Sequence, residues 1–140
     1  MESESTGRTY TILIAEDEAL VLKMLSYRLQ KEGFTVLAAS DGKQALESLR
    51  TTTPDMVITD LMMPYHSGLE VLEYVKKSLS SRIPVLVLSA SGQEQTVLKA
   101  FSLGADDFAL KPFSPNELVS RVRMHLKKSL ATSNDAHQPD

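Results

Sequence analysis

The sequence predicts an α/β protein, a parallel sheet of five strands doubly wound by helices on both faces, in the pattern (βα) repeated five times. Three observations carry this. Five short apolar runs recur at intervals of roughly 20 to 28 residues, most with the near-continuous Val, Ile and Leu content of strands buried on both faces. The segments between them place apolar residues at helical spacing. Helix start and stop signals fall where that alternation needs them.

Taken in order, the first run is Tyr10 to Ala15, followed by a helical face of Leu22, Leu25 and Leu29 that Gly33 stops. Phe34 to Ala39 is the second strand, and Ala45, Leu46 and Leu49 mark its helix. Asp55 to Thr59 leads to Leu69, Leu72, Val75 and Lys76; Ile83 to Ser89 leads to Val97, Ala100, Phe101 and Gly104. After the last strand, Asp107 to Leu110, the segment Ser114-Pro115-Asn116-Glu117 offers an N-cap with Pro at the first helical position and Glu at the third. The helix it opens is marked by Leu118, Val122 and Leu126. Short connections imply right-handed crossovers, and in such sheets ligands bind at the carboxyl ends of the strands. Residues 1–9, rich in Ser and Glu, are expected to be a disordered N-terminal segment, 10–128 the folded domain, and 129–140 (SLATSNDAHQPD) a flexible tail or linker.

Composition narrows the function. The 140 residues suit one domain, and 42% hydrophobic with 24% charged residues is enough to bury a core. Eighteen acidic against fifteen basic residues give a net charge of -3, which argues against a free-standing nucleic-acid binder. There is no cysteine, and His66, His125 and His137 are too scattered for a zinc cluster, so none is given a role. No apolar run approaches the roughly 18 residues of a membrane span, and the acidic start is unlike a signal peptide. The expected location is the cytoplasm.

The strand ends hold the chemistry. Strand 1 ends in Glu16-Asp17, strand 3 in Asp60, strand 4 in Ser89 and strand 5 in Lys111-Pro112. Alone, Glu16-Asp17 reads as an acidic helix start and Lys111 as a solvated cation; together they read differently. Three carboxylates brought into one crevice repel one another unless a cation sits among them. Oxygen ligands without His or Cys favour Mg²⁺ or Mn²⁺. Such an ion and Lys111 would offset the charge of an incoming phosphoryl group, leaving Asp60 as a carboxylate nucleophile and Ser89 as a hydrogen-bond donor to a phosphoryl oxygen.

This constellation resembles the receiver domains of two-component response regulators, from about residue 10 to 128. Glu16-Asp17 is similar to their acidic metal pair, Asp60 to the phosphoacceptor, Ser89-Ala90 to the Ser/Thr-Ala pair, Lys111-Pro112-Phe113 to the Lys-Pro-Phe signature, and Phe108 to the switch aromatic. The resemblance implies a flavodoxin-like sheet of order 2-1-3-4-5 and a cis Lys111-Pro112 peptide. It implies Mg²⁺ (or Mn²⁺) held by Glu16, Asp17, Asp60 and the backbone carbonyl of Met62. The implied activity is that of a signalling switch with Mg-dependent autophosphorylation and slow autodephosphorylation, not a turnover enzyme: Asp60 takes a phosphoryl group from the phosphohistidine of a sensor histidine kinase or histidine phosphotransfer protein. Ser89 and Phe108 then alter a partner-binding surface, with a homodimer through helix 4, strand 5 and helix 5 as one use of it. No contact of this domain with nucleic acid or membrane is implied.

Phe108 stands where many members carry Tyr, so its turning must rest on packing; by spacing alone it reads equally as a packing residue. Gly104 to Asp107 and helix 5 resemble receivers joined to winged-helix DNA-binding domains, though Val97 and Leu103 lie where that subgroup carries charges. Met62 and Ser91, at the positions by which receivers tune hydrolysis, orient no water and imply a long-lived phosphorylated state. Two other classes fit worse. A dehalogenase-like phosphatase resembles Asp-x-Asp, where this chain has Asp60-Leu61-Met62, and a flavodoxin-like cofactor site would need a phosphate loop where Ala15-Glu16-Asp17-Glu18 repels phosphate.

Overall fold

In a computed structural model that describes residues 8–137, with side chains as far as Ser129, the apolar runs are the strands β1 (Thr11–Ala15), β2 (Thr35–Ala39), β3 (Met56–Asp60), β4 (Val85–Ser89) and β5 (Asp107–Leu110). Between and after them lie α1 (Ala19–Lys31), α2 (Gly42–Thr51), α3 (Gly68–Tyr74), α4 (Glu94–Ser102) and α5 (Pro115–His137). The five strands pair in parallel in the order β2-β1-β3-β4-β5. Residues 1–7 of the expected disordered segment, and 138–140, lie outside the described residues. Arg8 of that segment is tied to the Asp55 carboxylate and lies over the Tyr10 ring.

Period-two alternation sorts each strand's side chains into two apolar layers. Leu13, Val57, Val85 and Val87 face α2, α3 and α4 through Leu46, Leu49, Val71, Leu72 and Ala100. Ile12, Ile14, Ile58, Leu86 and Leu88 face α1 and α5 through Leu25, Leu29, Leu118, Val122 and Leu126. Strands buried on both sides read as continuous apolar runs for this reason. The helix signals also hold: Gly33 and Gly104 close their helices at φ of 101° and 108°, and the Glu117 N–H donates to Ser114 Oγ over 3.3 Å at the start of α5.

Two segments depart from the sequence reading. The periodicity of Leu69, Leu72, Val75 and Lys76 continues one helix through to Lys76, but α3 widens at Val75–Leu79 into a π-helical turn. There Lys76 Nζ donates to Ser81 O, Ile83 O and Asp106 Oδ2 at 3.0, 2.7 and 2.8 Å, fastening the helix end to the entries of β4 and β5. The second departure is α5, which does not give way to a non-periodic tail at Ser129 but stays helical to His137. No glycine or proline interrupts the chain between Asn116 and Gln138, so nothing there breaks a helix once begun.

Gly68 fixes how α3 meets the sheet. Its N–H donates to Leu61 O at 2.8 Å, and a Cβ on it would lie 2.1 Å from the Asp60 carbonyl oxygen. Gly68→Ala is therefore expected to cost about 2 kcal/mol in urea unfolding, because backbone must shift to admit the methyl group. Unchanged stability would refute this account of the close approach.

Candidate functional site

β1 lies between β2 and β3, so the chain reverses its direction of sheet growth there, and the crevice opens at the carboxyl ends of β1 and β3. The ladder continues one residue past β1 and β5: the Glu16 N–H donates to Ala39 O at 3.0 Å and the Lys111 N–H to Ser89 O at 2.8 Å. Backbone pairing thus sets Glu16, Asp60, Ser89 and Lys111 side by side. The Lys111-Pro112 peptide is cis.

Glu16 is fully buried. One of its oxygens, Oε2, accepts from the Glu18 N–H and from Lys111 Nζ, both at 3.0 Å. The other, Oε1, is 2.9 Å from Lys111 Nζ, yet no donor is aligned to make it a hydrogen bond. Asp60 is buried at the end of β3; its Oδ1 accepts the Leu61 N–H at 2.9 Å and its Oδ2 accepts from Lys111 Nζ at 3.2 Å. Asp17 is exposed at the rim, and carboxylate oxygens of Glu16, Asp17 and Asp60 lie within 4.8 Å of one another.

The electrostatics follow from this crowding. Burial first, then the charge of Glu16, pushes the Asp60 carboxyl up to about 7, against the opposing pull of Lys111. Burial works against the Lys111 ammonium, but its hydrogen bond to Glu16 and the charges of Asp60 and Glu16 outweigh that and hold its pKa above the usual lysine value. One ammonium does not neutralise three carboxylates. A hard cation fits what remains: an all-oxygen donor set, a buried oxygen at Glu16 Oε1 without a donor, and an exposed third carboxylate at Asp17.

The other expected residues are near but differently engaged. Ser89, buried at the end of β4, does not reach Asp60; its hydroxyl donates to Ser91 O at 3.1 Å and accepts the Ser91 N–H at 3.0 Å. Met62, two residues after Asp60, is 74% exposed. Phe108 is half-buried on β5, its ring 6.4 Å from that of Phe101. His66, given no role, pairs with Glu70 at 2.8 Å on the surface.

Sequence reasoning missed one cluster. His125, left without a role, is buried, and its Nε2 lies 2.9 Å from Asp107 Oδ2. Asp107 Oδ1 accepts from Arg121 at 2.6 Å and from the Phe108 N–H at 2.8 Å. The available signal was the spacing of Arg121 and His125, four residues apart and hence on one face of α5.

Comparison with known proteins agrees with this geometry. A family model described as response regulator receiver domain matches residues 12–123. The alkaline phosphatase synthesis transcriptional regulatory protein PhoP of Bacillus subtilis is 37% identical over 118 residues, covering 84% of this chain and 49% of that protein. The phosphate regulon transcriptional regulatory protein PhoB of Escherichia coli is 36% identical, covering 84% and 52%. The chain thus spans about half the length of these curated relatives. Among solved structures, the receiver domain of the Francisella response regulator 1452 superposes with a TM-score of 0.80 at 30% identity, over 86% of this chain and 99% of that one. The beryllofluoride-activated DrrB receiver domain gives the same four values. With the sheet order, the strand-end constellation and the match over most of its length in agreement, the chain belongs to the response regulator receiver domain family, the signalling switches of two-component systems.

Proposed function

We propose that Asp60 is the phosphoacceptor, that Glu16, Asp17 and Asp60 with the Met62 carbonyl hold Mg²⁺ or Mn²⁺, and that Lys111 and Ser89 serve the transferred group. The observation that carries this reading is the meeting of three carboxylates and one ammonium at the strand ends, with Asp60 the one carboxylate of the three that lies within a strand and Lys111 3.2 Å from it. In the transfer, an Asp60 oxygen attacks the phosphorus of a partner's phosphohistidine; the P–O bond forms, the P–N bond breaks, and the electron pair leaves on the imidazole nitrogen. A bound divalent ion would offset charge on the phosphoryl oxygens. Lys111 holds a further positive charge beside them and Ser89 is near enough in the fold to be recruited. The exposed Met62 thioether and the short Ser91 offer an attacking water no strong hydrogen bond, which supports slow autodephosphorylation.

The phosphoryl source is a histidine kinase or histidine phosphotransfer protein, met in the cytoplasm. Among the described residues no helix is long and apolar enough to cross a membrane. The output surface is the face of α4, β5 and α5, where Leu98, Phe101 and Leu110 are exposed; it serves partner binding or a homodimer. Residues 10–128 form the receiver, and residues 129–140 a tail or linker. This domain, net acidic, does not itself contact nucleic acid.

The test is intact-mass measurement after incubation with a small-molecule phosphodonor and Mg²⁺. The expected result is one base-labile phosphoryl addition in the wild type, none in Asp60→Asn, and none in the wild type with excess chelator. Phosphorylation of Asp60→Asn at the wild-type rate would overturn the assignment.

A further inference from the structure

At the end of the sheet opposite the acidic crevice, the loop entering β4, the turn entering β5 and the late turns of α5 border an open hollow of about 420 Å³ with a mixed polar and apolar lining. Two cations line it, Arg82 from the loop and Lys128 from α5, and neither side chain is in an ion pair with any other residue among those described. Both side chains are exposed, so what sets them apart is that they meet across one hollow. The one carboxylate in the lining, Asp106, is already engaged: its Oδ2 accepts from Lys76 Nζ and from the Val85 N–H, both at 2.8 Å.

The walls are fastened. Lys76 pins the loop from one side through Ser81 O and Ile83 O, and Ser129 Oγ pins it from the other by donating to Arg82 O at 3.0 Å. His125, buried in the lining, is held by Asp107 through Nε2, which leaves Nδ1 as the ring nitrogen open to a ligand. The backbone around the hollow is held, its two exposed cations are free to turn into it, and an arginine fork matches phosphate oxygens.

We propose that this cavity binds a small phosphomonoester, with Arg82 and Lys128 matching the dianion and the remaining volume accommodating its organic part. The site goes beyond phosphoacceptance at Asp60. Its occupancy bears on His125 and so on Asp107, whose other oxygen holds Arg121 and the Phe108 N–H, which links the cavity to the packing of β5 on α5.

The test is an NMR titration of the whole chain with adenosine 5′-monophosphate and glucose 6-phosphate, at constant ionic strength and without divalent ions. Saturable shifts are expected at Ser81, Arg82, Lys128 and Ser129. Arg82→Gln and Lys128→Gln should each weaken binding about tenfold, while phosphorylation of Asp60 by a small phosphodonor is unchanged. Shifts that never saturate, shifts confined to the Asp60 crevice, or an unaltered affinity in the double variant would overturn the proposal.

Discussion

In the presence of chelator, Asp60→Asn stabilises the domain at pH 8 by about 2 kcal/mol and has little effect at pH 4. The sign is set by the two ends of folding. Unfolded, the Asp60 carboxyl titrates at the ordinary value of 3.8; folded, burial and the Glu16 charge raise it to about 7. Below about pH 4 the group is protonated in both states and contributes no difference. Between the two values the folded chain keeps a proton that the unfolded chain has lost, so stability falls as pH rises. Above about pH 7 the full cost of an ionised carboxylate among like charges is present, and an amide escapes it. The whole difference corresponds to about 4 kcal/mol, which solvent at the crevice rim screens to about half. Denaturant unfolding of both proteins from pH 4 to 8 measures it; parallel profiles would contradict the raised pKa. With Mg²⁺ present the order reverses, since the ion stabilises the wild type and the amide supplies a poorer ligand.

Lys111→Met has the second large effect, and it is twofold. Without metal at pH 8 it destabilises by about 3 kcal/mol, because Glu16, fully buried, and Asp60 lose the one cation they share. Saturating Mg²⁺ returns much of that stability, since ion and ammonium answer to the same carboxylates. Phosphoryl transfer behaves otherwise: its rate falls about a hundredfold even with Mg²⁺ saturating, because the lost charge lay beside the group being transferred. Equal loss of metal affinity and transfer rate would instead mark Lys111 as a support for the metal site. Thermal unfolding with and without Mg²⁺ and single-turnover transfer separate these outcomes.

The legible part of this molecule was the part written in burial and order. Val57, Ile58, Leu86 and Val87 declare two-sided burial by being adjacent apolar residues, and Glu16, Asp60, Ser89 and Lys111 stand out as the polar residues at the carboxyl ends of such runs. Direction was not legible. Ser89 could be placed at the strand end, yet the turning of its hydroxyl toward Ser91 depends on a rotamer that leaves no trace in spacing. The Val75–Leu79 turn escaped because one wide turn shifts the apolar phase too little to notice in a short segment. His125 escaped because its partner, Asp107, is 18 residues away and enters through another element.

That closed ring of Ser89 and Ser91 has a consequence for the fidelity of signalling. The hydroxyl is held by a donated and an accepted bond, together about 2 kcal/mol net. Left to thermal motion alone, the free orientation would then be outnumbered roughly thirtyfold. Under the proposed role of Ser89, this sets a threshold: phosphoryl oxygens would have to outcompete two local bonds before the serine turned. Metal, inorganic anions or a docked but unphosphorylated partner, which offer it less, would then leave the output silent, with an expected background of unprompted responses of about a few per cent.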